Sequence, residues 1–571
     1  MLQKFEGALR GAPTLPQKDG ELERLERQAQ LGISRQIYAY AAGSGLPMPM
    51  AVKGAAALQA AEIIDWVGGW LANQARILAD IEIWKAETSG QSGFSTLADY
   101  TRLFTLFDVP GVVETWQDDR IFGSQRLAGL NPMAINLVTA DDAGAGIGWG
   151  ELEPKLSPKI KDGYEAQGKP VYEWFQEGRL YVTDFASLQG IIPGDEFQMA
   201  PIALYLKPDA FPGLLPIAIQ LTQNPADSLV YLAPQAASPT QDFQWLMAKT
   251  YLQCADLNQN QAVNHLALTH LIEEALALAT HRRLALQHPL FRLLTKHFTA
   301  LMVINEIGML TLINPGGLID QTLDVRLQGA LKLISNAYAS WTFKDLGLPG
   351  NLDRRGVADP EKLPYYPYRD DGLVIWNRLG MYVREYLGLY YLGDDDVVRD
   401  YELQDWALQL SGGLDDGAGK LPGFPAAIRT REELGDIVQR IIWTAGPQHA
   451  AVNFPQTEFT NFVPNAPGSM AAPAQGTVTE STLVGLLPGR DQAAAQFKIS
   501  YALAGYRYDQ LLDYHLSSED ASEGVVRKYY AQLTTEDRDT VIRRNEERAK
   551  HPGLLVYPYF LPENIPNSTS V

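Results

Sequence analysis

Five of the eight histidines in this 571-residue chain lie between residues 264 and 297. Two of them, His265 and His270, stand on an apolar run typical of a buried helix, and Glu274 follows the second after four residues. Neutral imidazole is the commonest metal ligand in proteins, so this pair indicates a metal site. Five residues leave the two rings about 140° apart on an ideal α-helix. The rings can converge on one ion only if the helix contains a π-type turn, and an ordinary core helix is the alternative that this spacing leaves open.

The histidine-rich segment and eight other segments resemble lipoxygenases, and they follow one another in the order found in that family. Upstream stand DDRIFGSQRLAGLNP (118–132), YVTDFASLQGIIPG (181–194), LPIAIQL (215–221) and WLMAKTYLQCAD (245–256). Downstream stand TLINPGG (311–317), YYPYRDDGLVIW (365–376), QHAAVNFPQ (448–456) and IPNSTSV (565–571). Eight collinear segments leave little room for coincidence. The chain therefore resembles the lipoxygenase family over roughly residues 95 to 571.

The resemblance implies a mainly α fold, with a large lipoxygenase-like helical catalytic domain, small antiparallel β elements and two central metal-bearing helices. Helical periodicity covers residues 245–300, 325–345, 373–410, 430–452 and 490–515. The runs RLYVTDF (179–185) and LLPIAIQL (214–221) predict short strands. Segments rich in Gly and Pro predict loops at 347–367 and 463–481.

The N-terminal part departs from much of the family. Many members begin with a β-sandwich (PLAT) lipid-binding domain, whereas residues 20–90 are helical in pattern here. We therefore expect a helical N-terminal extension over 1–94, no PLAT domain, and a catalytic domain over 95–571. Residues 55–84 are apolar and carry Trp66 and Trp70 on one face. This pattern favours an amphipathic helix packed on the catalytic domain, with peripheral membrane contact as the alternative.

The resemblance also implies a non-haem iron centre. The metal ligands would be His265, His270, His449, the weak amide ligand Asn453 and the main-chain carboxylate of Val571. His449 and Asn453 stand four residues apart and so share one face of a helix. These N and O ligands suit iron and accept manganese as well.

Other polar residues near the ligands fall into two groups. Gln261 and Gln456 are candidates for outer hydrogen bonds, which orient metal ligands. His281 and His288 continue the sequence of the metal helix, and we expect them too far along its axis to reach the same ion.

The implied reaction inserts dioxygen into the 1,4-pentadiene unit of a polyunsaturated fatty acid. Leu312, Ile313 and Ile319 match channel-wall positions of the family. Gly308 stands within a helical pattern, where glycine costs roughly 0.5–1 kcal/mol relative to alanine, so it indicates close helix packing or space beside the substrate. At the matching family position glycine accompanies R hydroperoxides and alanine S ones, so Gly308 favours R products. Hydroperoxide isomerisation on the same fold and a catalytically silent lipid carrier are the alternatives.

The amino-acid composition limits the kinds of partner that the protein can bind. The chain has 47 basic and 67 acidic residues, a net charge of −20, which argues against nucleic acid and against nonspecific attraction to anionic lipid. Its single cysteine excludes an intrachain disulfide and fits a reducing compartment. The sequence contains neither a signal-peptide pattern at its start nor an apolar run of membrane-spanning length. We expect a monomeric, cytoplasmic protein whose partners are a fatty acid and dioxygen.

Overall fold

The computed structural model of the protein describes residues 12–41, 45–51, 54, 64–91, 93–191, 199–234, 242–476, 478–516 and 521–570. Val571 lies outside these residues. Residues 55–63 also lie outside them; they are the first part of the segment 55–84, for which peripheral membrane contact was the alternative.

The predicted mainly α fold is confirmed, because helices dominate the described chain. In chain order the α-helices are α1 Glu21–Ile37, α2 Ile64–Glu87, α3 Asp119–Ala128, α4 Trp149–Leu152, α5 Pro158–Lys161, α6 Val171–Gln176, α7 Phe243–Gln259, α8 Ile272–Arg283, α9 Pro289–Leu294, α10 Leu301–Thr311, α11 Leu318–Thr322, α12 Arg326–Ser340, α13 Leu348–Arg354, α14 Pro367–Gly388, α15 Asp394–Arg399, α16 Tyr401–Leu410, α17 Arg431–Trp443, α18 His449–Asn453, α19 Gln456–Phe459, α20 Glu480–Leu486, α21 Arg490–Ala504, α22 Ala521–Gln532 and α23 Arg538–Ala549. Three π-helical segments join neighbouring helices: Asn260–Leu271, Thr444–Gln448 and Leu533–Asp537.

The first metal-bearing helix runs continuously from Phe243 to Arg283 and is buried over almost all of its surface. Three charged side chains buried along this helix, Lys249, Asp256 and Arg283, each form an ion pair, as burial of a charge requires. Asp242 caps its start, because the carboxylate accepts hydrogen bonds from the backbone N–H groups of Gln244 and Trp245. The helix ends where Leu284 adopts extended backbone.

The end of this helix at Leu284 corrects the expectation that His288 lies on it. His288 is not on the metal helix, since it caps α9 and its Nδ1 accepts a hydrogen bond from the backbone N–H of Leu290.

The second metal-bearing helix is α17, continued through the segment Thr444–Gln448 into α18. Thr430 caps its start by accepting a hydrogen bond from the backbone N–H of Glu433. Pro447 lies inside the π segment and has no backbone N–H, so the regular α pattern of hydrogen bonds cannot continue through it.

The predicted strands are present as parts of a six-stranded sheet. Its strands are β1 Asn136–Thr139, β2 Ile147–Gly148, β5 Leu180–Asp184, β6 Ile202–Leu206, β7 Leu215–Gln220 and β8 Val230–Leu232, while β3 Glu165–Ala166 and β4 Lys169–Pro170 form a separate hairpin. The order across the sheet is β2-β1-β5-β6-β7-β8, and every neighbouring pair is antiparallel except β1 with β2.

Side chains that alternate along β6 divide between two hydrophobic cores. Ile202 and Leu204 face a small core beneath α4 to α6, whereas Ala203 and Tyr205 face the main helical core.

Two expected boundaries are wrong. The segment 347–367 contains α13, with Pro349 in its first turn, where a missing N–H is tolerated. The helix expected over 490–515 ends at Ala504, and Gly505 follows as its C-cap.

The N-terminal helices pack on the catalytic body. The Arg27 guanidinium of α1 is fully buried and pairs with Asp19 and Glu402. Asn73 of α2 donates a hydrogen bond from Nδ2 to the carbonyl oxygen of Tyr501 in α21 at 2.9 Å. The opposite face of α2 exposes Leu71 and Leu78 to solvent. None of the helices in the described ranges combines the length and apolar character needed to cross a membrane.

Candidate metal centre

Three histidines meet where the two metal-bearing helices cross. The Nε2 atoms of His265 and His449 lie 3.2 Å apart, those of His270 and His449 3.2 Å, and those of His265 and His270 3.3 Å. Bonds of about 2.0–2.1 Å to one ion would place such nitrogens about 2.9–3.4 Å apart, depending on the bond angles. The triangle therefore has the dimensions of three ligands of one metal ion. Among the described residues this is the one cluster of His, Cys, Asp or Glu that could hold a metal.

The π segment explains how two histidines five residues apart reach the same point. Residues Asn260–Leu271 form a π-helix, whose hydrogen bonds run from residue i to i+5. His265 and His270 are separated by this interval, so their side chains leave the helix on the same side. The π-type turn that the sequence required is confirmed.

Outer hydrogen bonds orient two of the three rings. Nδ1 of His265 lies 3.1 Å from Oε1 of Gln261, and Nδ1 of His270 lies 2.9 Å from Oδ1 of Asn305. An amide oxygen can only accept, so each Nδ1 donates its proton and each Nε2 keeps a free lone pair for a metal.

Asn305 is a site residue that the sequence reasoning missed. Its Nδ2 also donates to the carbonyl oxygen of His270 and, at 2.7 Å, to Oε2 of Glu274. A buried amide in the largely apolar segment LMVINEIGML, beside the single charged residue Glu306, was the available signal.

The amide of Asn453 lies in a hydrogen-bond chain that leads back to His265. Oδ1 of Asn453 accepts from Nε2 of Gln456 at 2.6 Å, and Oε1 of Gln456 accepts from Nε2 of Gln261 at 2.5 Å. Nδ2 of Asn453 donates to the carbonyl oxygen of Leu503 at 2.7 Å. The amide oxygen that would bind metal weakly is thus held by Gln456, and hydrogen bonds connect Gln261 and Gln456 to the candidate ligands His265 and Asn453. Their role around a metal stays a prediction.

Burial keeps the histidines neutral. All three are at most 6% exposed, and loss of hydration lowers the pKa of His270 to about 4 and the pKa values of His265 and His449 well below the usual value. Neutral imidazole is the form that binds metals. His449 Nδ1 has no hydrogen-bond partner among the described residues, so its ring is held by packing alone. Buried neutral nitrogens that converge on one point fit a bound metal ion.

The C-terminal tail is buried up to the last described residue. Asn567, Ser568, Thr569 and Ser570 are each at most 1% exposed. The backbone N–H and the side-chain amide of Asn567 both donate to the carboxylate of Asp509, at 2.9 and 2.8 Å. The residue before Val571 is therefore fixed inside the protein rather than on its surface.

A cavity of about 220 Å³ begins at the histidines. His265 and His270 form part of its wall, and the rest is mostly aliphatic. The four predicted channel residues all line it: Gly308, Leu312, Ile313 and Ile319. A largely apolar cavity with a few polar groups is typical of sites for small lipophilic molecules.

A Cβ atom added to Gly308 would meet only Cδ1 of Leu312, at 3.9 Å, among atoms within 4 Å. Gly308 therefore stands on open cavity space and not at a tight contact between helices.

Three buried histidines at the end of an apolar cavity, within a mainly helical fold, form a candidate metal centre. The Lipoxygenase family profile matches residues 84–484. The chain is 32% identical over 502 residues to the allene oxide synthase-lipoxygenase protein of Plexaura homomalla, covering 82% of this chain but 45% of that protein. It is 32% identical over 507 residues to linoleate 9/13-lipoxygenase of Pseudomonas aeruginosa, covering 85% of this chain and 71% of that protein.

Comparison with solved structures leads to the same family. The crystal structure of coral 8R-lipoxygenase matches with a TM-score of 0.84 and 27% identity, over 98% of this chain and 83% of that one. The chain belongs to the lipoxygenase family. It spans less than half the length of the P. homomalla protein.

Proposed function

We propose that the protein is a non-haem iron dioxygenase that converts polyunsaturated fatty acids such as linoleic, linolenic and arachidonic acid into hydroperoxides, mainly of R configuration. The observation that carries this proposal is the triangle of Nε2 atoms, 3.2–3.3 Å on each side, at the end of an apolar cavity. His265, His270 and His449 would hold the metal, with Asn453 and the carboxylate of Val571 completing the ligand set.

Iron bound there would supply the one-electron chemistry that removes hydrogen from the doubly allylic methylene. The residues of the chain position and shield that reaction. Gln261 and Asn305 keep the Nε2 atoms of His265 and His270 unprotonated and aimed at the same point. The aliphatic cavity wall excludes water and leaves the pentadiene among groups that offer it no competing polar contact.

Gly308 supports the R configuration. Its missing methyl group leaves open space in the wall that Leu312 also lines, which is space dioxygen needs to reach one end of the pentadiene. Alanine at this position would fill that space.

The test combines metal analysis with oxygen uptake. Purified protein should contain about one iron per chain and consume dioxygen with linoleic acid, and His270→Ala and His449→Ala should each remove both properties. His281→Gln is the matched control, because His281 lies on the same continuous helix as His270 but outside the triangle. Retained iron and full turnover in both triangle variants would contradict the assignment.

Each alternative gives its own result in the same experiment. Manganese in place of iron with unchanged oxygen uptake would identify a manganese enzyme. Conversion of added hydroperoxide without oxygen uptake would identify an isomerase, and protein free of metal and of turnover would identify a carrier.

A further inference from the structure

Helix α1 exposes apolar side chains and buries a charged one, the reverse of an ordinary surface helix. Its buried face holds Leu31 and Arg27, and the Arg27 guanidinium is enclosed together with its ion-pair partners. At about 100° per residue, the large aliphatic side chains of the other face fall within an arc of about 120° and form one line. These side chains, each at least 37% exposed, are Leu22, Leu25, Ile33 and Ile37, and we call them the α1 stripe.

A second group of exposed apolar side chains adjoins the N-terminal end of α1. Just before the helix, Gln17 donates a hydrogen bond to the carbonyl oxygen of Asp396, and Lys18 donates one to that of Tyr390, both at 3.0 Å. The start of α1 therefore lies beside residues 389–401, whose exposed apolar side chains are Leu389, Leu392, Val398 and Tyr401. Together with the α1 stripe they expose on the order of 700 Å², which exceeds the largest apolar patch of a typical monomer and is close to one partner's share of a standard interface.

The charges of α1 favour one partner and one orientation. The acidic residues Glu21, Glu23 and Glu26 all lie in the first half of the helix, whereas residues 28–37 contain no acid and include Arg35. A second copy in parallel orientation would bring Glu26 against the partner's Glu26, and like charges in contact are destabilising. An antiparallel copy places each acidic half against a half without acids. The same glutamates would be repelled by an anionic lipid surface, so the charges favour a second copy of this chain over a membrane.

We propose that two copies of the chain pair through their α1 helices, antiparallel about a two-fold axis that passes beside Ala29. Ala29 is exposed and lies midway along the stripe, and its small side chain lets two helices approach closely. In this register Leu25 of each copy contacts the partner's Ile33, and the pairing is closed, as in most soluble oligomers. The monomer expected from the sequence took no account of this face, because exposure exists only in the folded chain. The dimer goes beyond the proposed function and does not depend on it.

The first experiment measures mass in solution by analytical ultracentrifugation of the full chain at micromolar concentration. The unmodified protein should sediment with about twice the chain mass of 63.1 kDa. Leu25→Glu and Ile33→Lys should each raise the dissociation constant at least tenfold, because each places an unpaired charge in an apolar contact. The combined variant should restore the dimer, since in the antiparallel register the new carboxylate of one copy faces the new ammonium of the other. Leu71→Glu on α2 is the matched control, because Leu71 is 54% exposed and Leu25 is 57% exposed.

The second experiment tests the register by cross-linking. Two facing helices with axes about 8–10 Å apart bring opposed Cα atoms to about 5 Å, a distance that a disulfide bridges. Ala29→Cys should therefore give a covalent dimer on mild oxidation, and the one native cysteine, Cys254, is buried and should not interfere. Ala75→Cys on α2 is the control, because Ala75 is likewise exposed but lies outside the proposed contact.

Several outcomes would overturn the dimer. They are a monomeric unmodified protein, a dimer that Leu25→Glu does not weaken, and equal cross-linking of the Ala29→Cys and Ala75→Cys variants. A monomer that binds phosphatidylcholine vesicles, with binding lost in Leu25→Glu, would assign the stripe to a lipid surface instead. A monomer that becomes dimeric only after residues 1–11 are deleted would assign it to that segment. None of these measurements uses oxygen uptake, so the proposed function and the dimer can fail separately.

Discussion

The indole Nε1 of Trp66 donates a hydrogen bond to the main-chain carbonyl oxygen of Ser570 at 2.8 Å. Both residues are 1% exposed, although 504 positions separate them in the chain. Ser570 directly precedes Val571, whose carboxylate is the proposed fifth metal ligand. The N-terminal helix α2 therefore holds Ser570 in place. With Val571 as the proposed ligand, Trp66 would be a positioning residue for the metal centre.

Replacing Trp66 with phenylalanine should weaken iron binding. The ring would still fill its place in the core, but the tail would lose one buried hydrogen bond, and lost outer contacts typically cost tenfold or more in metal affinity. The measurement is iron released to a chelator at equilibrium, together with the electron paramagnetic resonance spectrum of the oxidised protein. Trp84→Phe is the control, because Trp84 is equally buried in α2 and its indole N–H has no acceptor among the described residues. Equal iron affinity in both variants would contradict the role of Trp66.

Extending the chain by a single residue beyond Val571 should remove most of the iron. The added peptide bond would convert the terminal carboxylate into an amide, and the buried tail has no slack to present a new carboxylate at the same point. Elemental analysis of C-terminally extended protein checks this, with an N-terminally extended protein as the control. Normal iron content after C-terminal extension would show that Val571 is not a ligand.

Gly308→Ala should change the products and leave the fold intact. The added methyl group meets only Leu312 at 3.9 Å, so it fits without strain and takes up cavity space. We expect oxygen to add at the opposite end and on the opposite face of the pentadiene, with a shift from R toward S hydroperoxides on chiral chromatography. Gly524→Ala is the control, since it also adds a methyl group to a helical glycine with open surroundings but lies outside the cavity wall. An unchanged ratio of R to S product would limit Gly308 to a structural role.

Glu274→Gln should make the folded state less sensitive to pH. Burial raises the pKa of Glu274 from its ordinary value to about 7, so the folded protein holds a proton that the unfolded chain releases at lower pH. This group therefore favours folding below pH 4.5, and the contribution is lost as the pH rises through 7, by up to about 3 kcal/mol. Glutamine does not titrate and keeps one oxygen that can accept from Ala51 or from Asn305, but not from both. The melting temperature of the variant, relative to that of the unmodified protein, should therefore rise between pH 5 and 8. The same shift in Glu82→Gln, at an exposed glutamate, would refute this explanation.

The sequence alone determined the class of fold and allowed the three clustered histidines to be predicted. Apolar helical runs around His265, His270 and His449 could be recognised because periodicity and residue type are local properties of the chain. The five-residue spacing even required the π-type turn that the structure contains. Boundaries were less certain: a seven-residue helix was overlooked in 347–367, because Pro and Gly mark loops and helix starts alike.

Only the tertiary structure decided what surrounds the site. Asn305 and Trp66 lie on helices distant in sequence from the residues they hold in place, and nothing in their local sequence marks them as partners. The role of Gly308 was likewise undecided until its surroundings showed open cavity and not a packed helix. The chemical type of a possible metal ligand depends only on the residue, so it can be read from the sequence. Outer hydrogen bonds, exposed faces and empty space arise from distances between segments, which exist only once the chain has folded.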